Sequence, residues 1–310
     1  MLDKSVNDPE LWVSDTMLNM EMRLASHNSI CVGVSGGSDS NVIVHMIATE
    51  FRKYLPKIHF VFSNTGLEYK ATLRHLDYME ERYDIKIDRI KPDKGNGVVS
   101  VVRREGVPIL SKAFSKEVQC AQKGQQWAIK RMYRTKQESD YAYSDKVKKM
   151  AHYLLENNIK VSSKCCDLSK KKPYYEYLKN INADLTITGE RRCEGGQRAT
   201  AHKGCFEKGD KHDKYMPLFY WDDKTKKWYK EHEGIVYSDC YEVWGMKRTG
   251  CVGCPFNGYI GEDLKIIKKY EPNLYKACMN VFGESYNIME KFEIHRHAIF
   301  TDYDQLSLFD

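Results

Sequence analysis

The chain has 310 residues, of which 42% are hydrophobic, a mean hydropathy of −0.62 and a net charge of +6. No apolar run is long enough to cross a bilayer, and the polar N-terminus has no signal-peptide pattern, so we expect a globular cytoplasmic protein and exclude a membrane-spanning one. The mildly basic charge suits an anionic substrate but does not by itself establish nucleic-acid binding.

The chain begins with a predicted amphipathic helix over residues 8–28, and strands and helices then alternate. The predicted strands cover residues 30–34, 58–62, 85–90 and 183–188, and the predicted helices cover residues 42–51, 72–83 and 98–105. Alternation of this kind predicts an α/β, Rossmann-like fold, with a parallel sheet and helices on both faces. In such a sheet the ligand lies at the carboxyl ends of the strands.

Two later segments differ in composition. Residues 111–160 are rich in Lys, Gln and Tyr and predict a helical, basic insertion. This insertion is either a solvated helical face or a surface for an anionic polymer, with Trp127, Tyr133, Tyr141 and Tyr143 as stacking platforms. Residues 203–235 carry many Lys and Asp and predict a surface excursion.

A glycine- and serine-rich turn follows the first predicted strand and precedes the predicted helix 42–51. A strand, a turn and a helix N-terminus form an anion pocket, because the N–H groups of the first helical turn are unpaired and the helix dipole favours negative charge. The two glycines let the backbone approach phosphate closely, and the three serines add hydroxyl donors. The turn lacks the ending of a Walker loop and resembles the PP-loop of the ATP-pyrophosphatase and phosphosulfate-reductase superfamily. The residues of this predicted nucleotide site are Ser35, Gly36, Gly37, Ser38, Asp39 and Ser40.

Two further motifs follow later strands. A glycine just past a strand lets the chain turn over a nucleotide, and arginines on a flexible loop suit polyphosphate or sulfate because a guanidinium binds oxyanions through two hydrogen bonds. Each motif alone is equally consistent with a structural turn, but the three together form one constellation at one sheet edge. The added candidates are Asn64, Thr65 and Gly66 after the second strand, and Gly189, Arg191, Arg192 and Arg198 after the fourth.

Ten cysteines in a chain expected in the cytoplasm argue against a disulfide framework and favour a metal, a cluster or thiol chemistry. An adjacent cysteine pair precedes three lysines, and a Cys-x-x-Cys motif follows much later. Zinc prefers two spaced pairs, whereas adjacent cysteines can bind two different irons of a cubane, so we favour a [4Fe–4S] cluster over zinc or free thiols. The lysines would offset the charge of the cluster. The predicted ligands are Cys165, Cys166, Cys251 and Cys254.

In their order, these motifs resemble those of the adenylylsulfate and phosphoadenylylsulfate (PAPS) reductases, over about residues 28–260. The paired cysteines resemble the cluster-bearing branch of that family. The resemblance implies a fold like that of the adenine nucleotide alpha hydrolases. It also implies an adenine nucleotide over the PP-loop, either ATP or the sulfonucleotide, with the arginine loop and the cluster near its phosphate or sulfate end.

The chain also departs from the reductases. In the reductases a Glu-Cys-Gly-(Leu/Ile)-His segment supplies the nucleophilic thiol, whereas residues 291–297 contain no cysteine. Cys278 lies in a helix-like run and is interpreted as a core thiol. Asn64 stands where the reductases have aspartate. Reduction of a sulfonucleotide to sulfite is therefore the second hypothesis.

The same motifs resemble the ATP-cleaving component of bacterial DNA phosphorothioation. In that chemistry ATP adenylates a phosphate oxygen with release of pyrophosphate, a Mg²⁺ ion bridges the phosphates, and sulfur from a donor such as a cysteine desulfurase displaces AMP. Asp39 is a candidate for binding the metal or a hydroxyl, and Arg191 and Arg192 are catalytic candidates for an oxyanion. Cys193 is a candidate sulfur-carrying thiol, because the neighbouring arginines are expected to lower its pKa.

The C-terminal residues Gln305, Leu306, Leu308 and Phe309 resemble the short motif by which bacterial DNA enzymes dock on the sliding clamp. A tail that packs on its own domain is equally consistent with this pattern.

The predicted organisation is a leading helix (1–27), a PP-loop domain (28–200) with the basic insertion, a cluster-completing part (201–290) and a tail (291–310). The main hypothesis is an ATP-using, cluster-bearing enzyme that transfers sulfur to a nucleic-acid-linked substrate. The third hypothesis is a non-catalytic nucleotide-binding accessory protein on the clamp.

Overall fold

A computed structural model describes residues 8–135, 138, 142–194 and 202–294. The chain folds into two compact units, each built from three segments. The first unit comprises Met1–Asn64, Lys70–Ile90 and Pro173–Thr249, and the second comprises Thr65–Tyr69, Lys91–Lys172 and Gly250–Asp310. Residues 28–200, which we expected to form one domain, therefore contribute to both units.

The helices and strands of the described ranges are as follows, in chain order. The helices are α1 Pro9–Ser26, α2 Ser38–Glu50, α3 Lys70–Tyr83, α4 Val98–Glu105, α5 Lys112–Gln122, α6 Gln126–Met132, α7 Asp145–Glu156, α8 Lys164–Cys166, α9 Lys172–Asn180, α10 Asp223–His232, α11 Asp239–Glu242, α12 Ile260–Tyr270 and α13 Pro272–Lys291. The strands are β1 Ile30–Gly33, β2 Ile58–Ser63, β3 Ile87–Ile90, β4 Leu185–Ile187, β5 Phe206–Glu207 and β6 Asp213–Tyr215. None of these helices is both long enough and apolar enough to span a membrane.

The six strands form one sheet in the first unit, in the order β3-β2-β1-β4-β6-β5. Every neighbouring pair is parallel except β5 and β6, so the Rossmann-like α/β prediction is confirmed and the sheet gains one antiparallel edge strand. The strand order reverses between β1 and β4, where Ile30 of β1 lies opposite Leu185 of β4. At such a reversal the loops after the two strands diverge and leave a crevice for a ligand.

The core of the first unit surrounds β1 and α2. Ile30, Val32 and Ile187 of the sheet are fully buried, as expected of parallel strands covered on both faces. Helix α2 begins at Ser38, four residues before the start that hydrophobic periodicity predicted, because its first turn is polar. Gly37 is its N-cap residue, and no side chain caps the helix there.

The prediction that residues 203–235 form a surface excursion is wrong. This segment supplies β5, β6 and α10, and residues 215–221 contribute to the core. The Lys and Asp residues between the two strands dominate the composition and conceal this short apolar stretch. Its buried members are Tyr215, Met216, Leu218, Phe219 and Trp221.

The second unit is helical in its described part and contains α4 to α8, α12 and α13. The predicted insertion 111–160 contains α5, α6 and α7, so its helical character is confirmed. A parallel bridge joins Val107 to Val161, and the Val107 N–H donates to the Lys160 carbonyl at 2.8 Å. This bridge fixes the chain just before α8, which carries the cysteine pair. A π-helical turn, Asp167–Lys171, follows α8, and such turns are frequent at functional sites.

Trp221 provides a test of the revised core. Its indole Nε1 donates to Thr16 Oγ1 at 2.9 Å, and both residues are buried. Trp221→Phe is expected to lower the free energy of unfolding by about 2–3 kcal/mol, because it leaves a void and an unpaired hydroxyl. The matched change Trp228→Phe, at a half-buried residue stacked on His232, is expected to cost less. Equal losses in urea denaturation would contradict this description of the core.

Candidate functional site

The PP-loop connects β1 to α2 in the first unit, and its shape depends on glycine at position 36. Gly36 has a φ of +70°, and a Cβ there would lie 2.4 Å from Thr72 Cγ2 of α3. Any side chain would therefore be strained in this backbone conformation and would clash with a buried helix residue. The close contact with α3 fixes the path of the loop over the sheet edge.

Two of the three loop serines bond within the loop. Ser40 Oγ donates to the Gly37 carbonyl at 2.9 Å and accepts the Ser35 N–H at 3.2 Å, and Ser35 Oγ accepts the Gly37 N–H at 3.2 Å. These bonds hold the loop in shape without occupying the first turn of α2. Since no side chain caps α2, its first N–H groups are positioned to bind an anion.

A cluster of charges adjoins the loop. Asp39 Oδ1 lies 2.9 Å from Arg191 Nε and 2.9 Å from Lys226 Nζ, and Lys226 also donates to Ser38 Oγ at 3.0 Å. Arg191 is only 5% exposed, and its Nη2 lies 2.9 Å from the exposed carboxylate of Asp223. One carboxylate thus holds two cations against the loop.

The buried Nε of Arg191 retains hydrogen-bonding capacity. Although it lies near Asp39, its N–H is not directed to make a hydrogen bond, and no other described group accepts it. Buried donors of this kind usually have a partner. An oxyanion of a ligand would satisfy it, in line with the predicted role of Arg191.

Gly189 brings the loop after β4 against the PP-loop. A Cβ on Gly189 would lie 3.1 Å from both the backbone carbon and the Cβ of Asp39. The two predicted motifs are therefore in contact, and only a glycine leaves Asp39 undisturbed. Arg192 is exposed, and its backbone N–H donates to the Phe219 carbonyl at 2.9 Å.

Two tyrosines adjoin the loop from the segment around α11. Tyr241 Oη lies 3.2 Å from the position of a Cβ on Gly37 and accepts the Thr249 N–H at 3.1 Å. The hydroxyl of Tyr237 is buried without a hydrogen-bond partner in the described part of the chain. Burial raises the pKa of Tyr237, and the charge of Asp39 raises it further, so this hydroxyl stays protonated as a donor.

The expectation of a lowered pKa at Cys193 is wrong. Burial raises the pKa of this thiol, and the charge of Arg191 lowers it by less. Arg191 Nη1 lies 3.0 Å from Cys193 Sγ, and the thiol donates to the Trp221 carbonyl at 3.3 Å. Although Cys193 is exposed, its thiol is hydrogen-bonded within the protein, and its raised pKa favours the neutral form.

The second unit brings the four predicted ligand cysteines into one electrostatic environment. Cys165 and Cys166 lie on α8, and the charges of Cys251 and Cys254 both contribute to raising the pKa of Cys165. The hydrogen bond between the paired thiols lowers the pKa of Cys166 and raises that of Cys165. Burial raises the pKa of Cys254 to about 12.

The turn that carries Cys251 and Cys254 is fixed by three contacts. The Val252 N–H donates to the Leu67 carbonyl at 3.0 Å, and the Tyr286 hydroxyl donates to the Gly253 carbonyl. Gly253 has a φ of +64°, and a Cβ there would lie 2.8 Å from Cys278 Sγ. Cys278 is fully buried beneath this turn, as the core-thiol interpretation predicted.

Polar residues around the thiols set the local charge. The Thr65 hydroxyl lies 3.5 Å from Cys251 Sγ and donates to Glu68 Oε1 at 2.7 Å. The charge of Cys251 raises the pKa of Lys170, burial lowers it by less, and Glu68 raises it again. Lys170 therefore lies in the electrostatic environment of the thiols, and its role in offsetting the charge of a cluster stays a prediction. The other two lysines pair elsewhere, Lys171 with Asp167 and Lys172 with Asp93.

The four thiols are donor atoms of the kind that a cluster needs. In the described ranges no three His, Cys, Asp or Glu side chains are arranged to hold one metal ion. A tetrahedral zinc site needs its four ligands around one centre, whereas each thiolate of a cubane binds a different iron. The sulfur chemistry and the neighbouring lysine suit the latter.

The remaining predicted site residues lie in different units or outside the described residues. Asn64 directly follows β2 in the first unit, where its N–H donates to the Ile90 carbonyl at 2.8 Å. Thr65 and Gly66 belong to the second unit, and Thr65 is in contact with Cys251. Arg198 and the clamp-like residues 305–309 lie outside the described residues.

Sequence reasoning missed Lys226, Tyr237 and Glu68 as site residues. Lys226 and Tyr237 lie in the segment misinterpreted as a surface excursion or just beyond it, and no motif marks them. Glu68 lies two residues beyond the second predicted motif, and its environment depends on Lys170, which is remote in sequence.

The PP-loop, the crevice between β1 and β4 and the cation pair define the first unit as a PP-loop nucleotide-binding domain. A model of the phosphoadenosine phosphosulfate reductase domain matches residues 29–106 and 119–257. The chain therefore belongs to the phosphoadenosine phosphosulfate reductase family, and the resemblance found in the sequence is confirmed. This membership supports binding of an adenine nucleotide.

Individual relatives are distant. An uncharacterised protein of Methanocaldococcus jannaschii is 27% identical over 270 residues, which are 84% of this chain and 43% of the relative. An adenosine 5′-phosphosulfate reductase of Neisseria meningitidis is 26% identical over 119 residues, which are 38% of this chain and 48% of that enzyme. The chain thus spans less than half the length of these relatives.

Two solved structures are similar to the chain at low identity. A PAPS reductase from Candida auris in a phosphate complex is 14% identical with a TM-score of 0.48, over 76% of this chain and 87% of the other. The U34-tRNA thiolase NcsA from Methanococcus maripaludis, with its [4Fe-4S] cluster, is 13% identical with a TM-score of 0.40, over 92% and 80%. At these values neither similarity extends to function.

Gly189→Ala tests the contact between the two loops of the first unit. The added Cβ must displace Asp39, so binding of an adenine nucleotide is expected to weaken about tenfold, measured by calorimetry. Gly283→Ala is the matched control, because a Cβ there meets nothing within 4 Å in the interior of α13. Unchanged affinity in Gly189→Ala would show that the loop contact does not shape the binding site.

Lys226→Ala tests the second cation. Loss of its charge-assisted bonds to the loop is expected to weaken nucleotide binding about tenfold. Its neighbour Lys227, 75% exposed and 3.7 Å from Glu231, provides the matched control Lys227→Ala. Calorimetry at two salt concentrations should show a smaller salt dependence for Lys226→Ala than for the control. Equal affinities for the two variants would remove Lys226 from the site.

Proposed function

We propose that this member of the PAPS reductase family is an ATP-dependent enzyme that transfers sulfur to a nucleic-acid-linked substrate and carries a [4Fe–4S] cluster. The observation that carries the proposal is the pair of cations, Arg191 and Lys226, held by Asp39 at the PP-loop. A pyrophosphate leaving group carries several negative charges, and two cations beside a helix N-terminus match it.

The residues of the first unit suit adenylation. The N–H groups of α2, Arg191 and Lys226 would bind the β- and γ-phosphates of ATP and stabilise the charge that develops on pyrophosphate. An oxygen of the acceptor would attack the α-phosphorus, and the bond from that phosphorus to the pyrophosphate oxygen would break. A sulfur donor at the oxidation level of sulfide would then replace the adenylated oxygen, which leaves with AMP, so no further oxidant or reductant is needed.

The proposal includes one site for Mg²⁺ in the first unit and one site for a cluster in the second. Asp39 would hold Mg²⁺ once the phosphates of ATP bind Arg191 and Lys226, and the ion would neutralise phosphate charge. In the second unit the four thiols of Cys165, Cys166, Cys251 and Cys254 fit a [4Fe–4S] cluster, which supplies electron-transfer or sulfur-binding chemistry when bound. Lys170 offsets the charge of the thiolates, and Thr65 supports Cys251.

Sulfite formation from a sulfonucleotide is the alternative, and it needs a nucleophilic thiolate. Burial raises the pKa of Cys278 to about 11, and its thiol donates to the Tyr275 carbonyl at 3.1 Å. Cys193 is likewise held neutral. A reductase reaction would therefore depend on a thiol from another molecule. The acceptor and docking on the sliding clamp through residues 305–309 are parts of the proposal. A cysteine desulfurase is the proposed source of sulfur, and an external thiol would reduce its persulfide to sulfide, with formation of a disulfide, before the transfer.

Anaerobic turnover of the iron-reconstituted protein tests the proposed function. ATP with Mg²⁺ is supplied with and without nucleic acid and a sulfide source, and adenylylsulfate or PAPS is supplied separately with a reduced thiol. Pyrophosphate release that rises with nucleic acid is expected. Sulfite from the sulfonucleotide, without pyrophosphate from ATP, would establish the reductase instead. Nucleotide binding without any turnover would establish an accessory protein.

Cysteine variants test the cluster separately. Cys254→Ser and Cys165→Ser are expected to lose most of the bound iron and the brown colour, because each removes one of four thiolate ligands. Cys120→Ser, on α5 and outside the predicted ligand set, should retain both. Iron and zinc are measured per polypeptide. Unchanged iron in the two ligand variants, or zinc in place of iron in the wild type, would contradict the cluster.

A further inference from the structure

The helical pair α5 and α6 of the second unit carries an excess of positive charge. Residues 111–135 contain six basic residues and one acidic residue, Glu117. Glu117 is only 4% exposed and lies 2.9 Å from Arg131 Nε, so it offsets one of the six positive charges and five remain in excess. All six basic residues are exposed, namely Lys112, Lys116, Lys123, Lys130, Arg131 and Arg134.

Four exposed residues of this pair follow the spacing of one helix face. They start at position 127 and recur three, four and seven residues later, the last just beyond the end of α6. The opposite side of α6 is apolar, and Ala128 and Met132 are fully buried. We call the exposed side the α6 face, and it consists of Trp127, Lys130, Arg131 and Arg134.

An exposed tryptophan is the unusual member of this face. The chain has five tryptophans, and Trp127, at 48% exposure, is the one whose side chain is exposed to solvent. Its indole Nε1 donates to Gln125 Oε1 at 2.9 Å, which holds the edge of the ring. The polar atom of the indole is thus satisfied within the protein, and the ring remains available for stacking.

A second row of basic residues connects this region with the thiols. Lys112, Lys116 and Lys123 follow α5 at spacings of four and seven residues, so they share one face. The side chain of Lys112 hydrogen-bonds to Cys166. A polyanion that follows this row would therefore reach the candidate cluster site of the same unit.

We propose that the α6 face binds a single-stranded segment of nucleic acid, with a base stacked on Trp127 and the phosphates on Lys130, Arg131 and Arg134. Charge complementarity supplies the attraction, and an exposed aromatic among cations favours single strands, since the bases of a duplex are already stacked. A purely solvated helical face explains the charge but leaves the exposed indole without a partner. The inference rests on the proposed function only in treating this strand as the acceptor.

The experiment measures binding of fluorescently labelled 20-nucleotide RNA and DNA strands to the full-length protein by anisotropy, without ATP. Trp127→Ala is expected to weaken binding about tenfold, as loss of one stacked base does, and Trp127→Phe should restore most of it. The double variant Lys130→Ala/Arg134→Ala should lower the salt dependence, with its log–log slope reduced by about 1.4. Bound strand should also quench tryptophan fluorescence in the wild type but not in Trp127→Phe.

The controls make comparable changes on exposed residues of the first unit. Lys179→Ala/Lys227→Ala removes two charges from exposed lysines of the first unit, and Tyr175→Ala removes an aromatic side chain that is 53% exposed. Both controls should bind as the wild type does. Equal weakening by the controls, or a Trp127→Ala variant with full affinity, would overturn the proposal. Tighter binding of a duplex or of heparin would mark the face as a general polyanion surface instead.

The two proposals can fail separately. A PP-loop variant, Ser38→Ala/Asp39→Asn, should bind the strand normally because the α6 face needs no nucleotide. Strand binding that depends on Trp127, with no pyrophosphate from ATP, would leave the surface in place and refute the proposed reaction. Pyrophosphate release stimulated by nucleic acid to the same extent in Trp127→Ala would support the reaction and refute the surface.

Discussion

The first unit depends on the sharing of Asp39 between Arg191 and Lys226. An arginine that is 5% exposed is stable only beside a counter-charge, and the carboxylate that provides it is the middle residue of the loop's Ser-Asp-Ser turn into α2. The same carboxylate binds a lysine from α10, so the PP-loop, the loop after β4 and a distant helix meet at one oxygen. The arrangement concentrates positive charge where the sheet leaves a crevice, and it places that charge before any ligand arrives.

The thiol site, formed by Cys165, Cys166, Cys251 and Cys254, is positioned instead by close packing of the backbone. Gly253 lies against Cys278 and Tyr286 with no room for a side chain, and the neighbouring Val252 is fully buried. Rigid support of this kind keeps ligand atoms in place when four like charges are brought together. Lys170 then reduces the repulsion among them.

The parts of the molecule that sequence reasoning predicted are those that local physics determines. The turn after β1 needs glycine at position 36 because the backbone has a positive φ there. The apolar strands alternate with helices along the chain. The first turn of α2 was missed because an anion site is polar and interrupts hydrophobic periodicity. The segment around Trp221 was missed because charged residues of a short hairpin outweigh a short apolar run. Lys226 and the raised pKa of Cys193 depend on contacts between residues remote in sequence, which no spacing reveals.

The thiol site draws on all three segments of the second unit, since Leu67, the pair on α8 and the turn at Gly253 come from different ones. A group held by all four thiolates would act as a covalent-like crosslink between chain positions more than 80 residues apart. By analogy with a disulfide, closing a loop of that length removes chain entropy equivalent to about 4 kcal/mol from the unfolded ensemble. Part of the stability of the second unit would then come from the bound cluster, and folding of the unit would depend on the supply of iron in the cell.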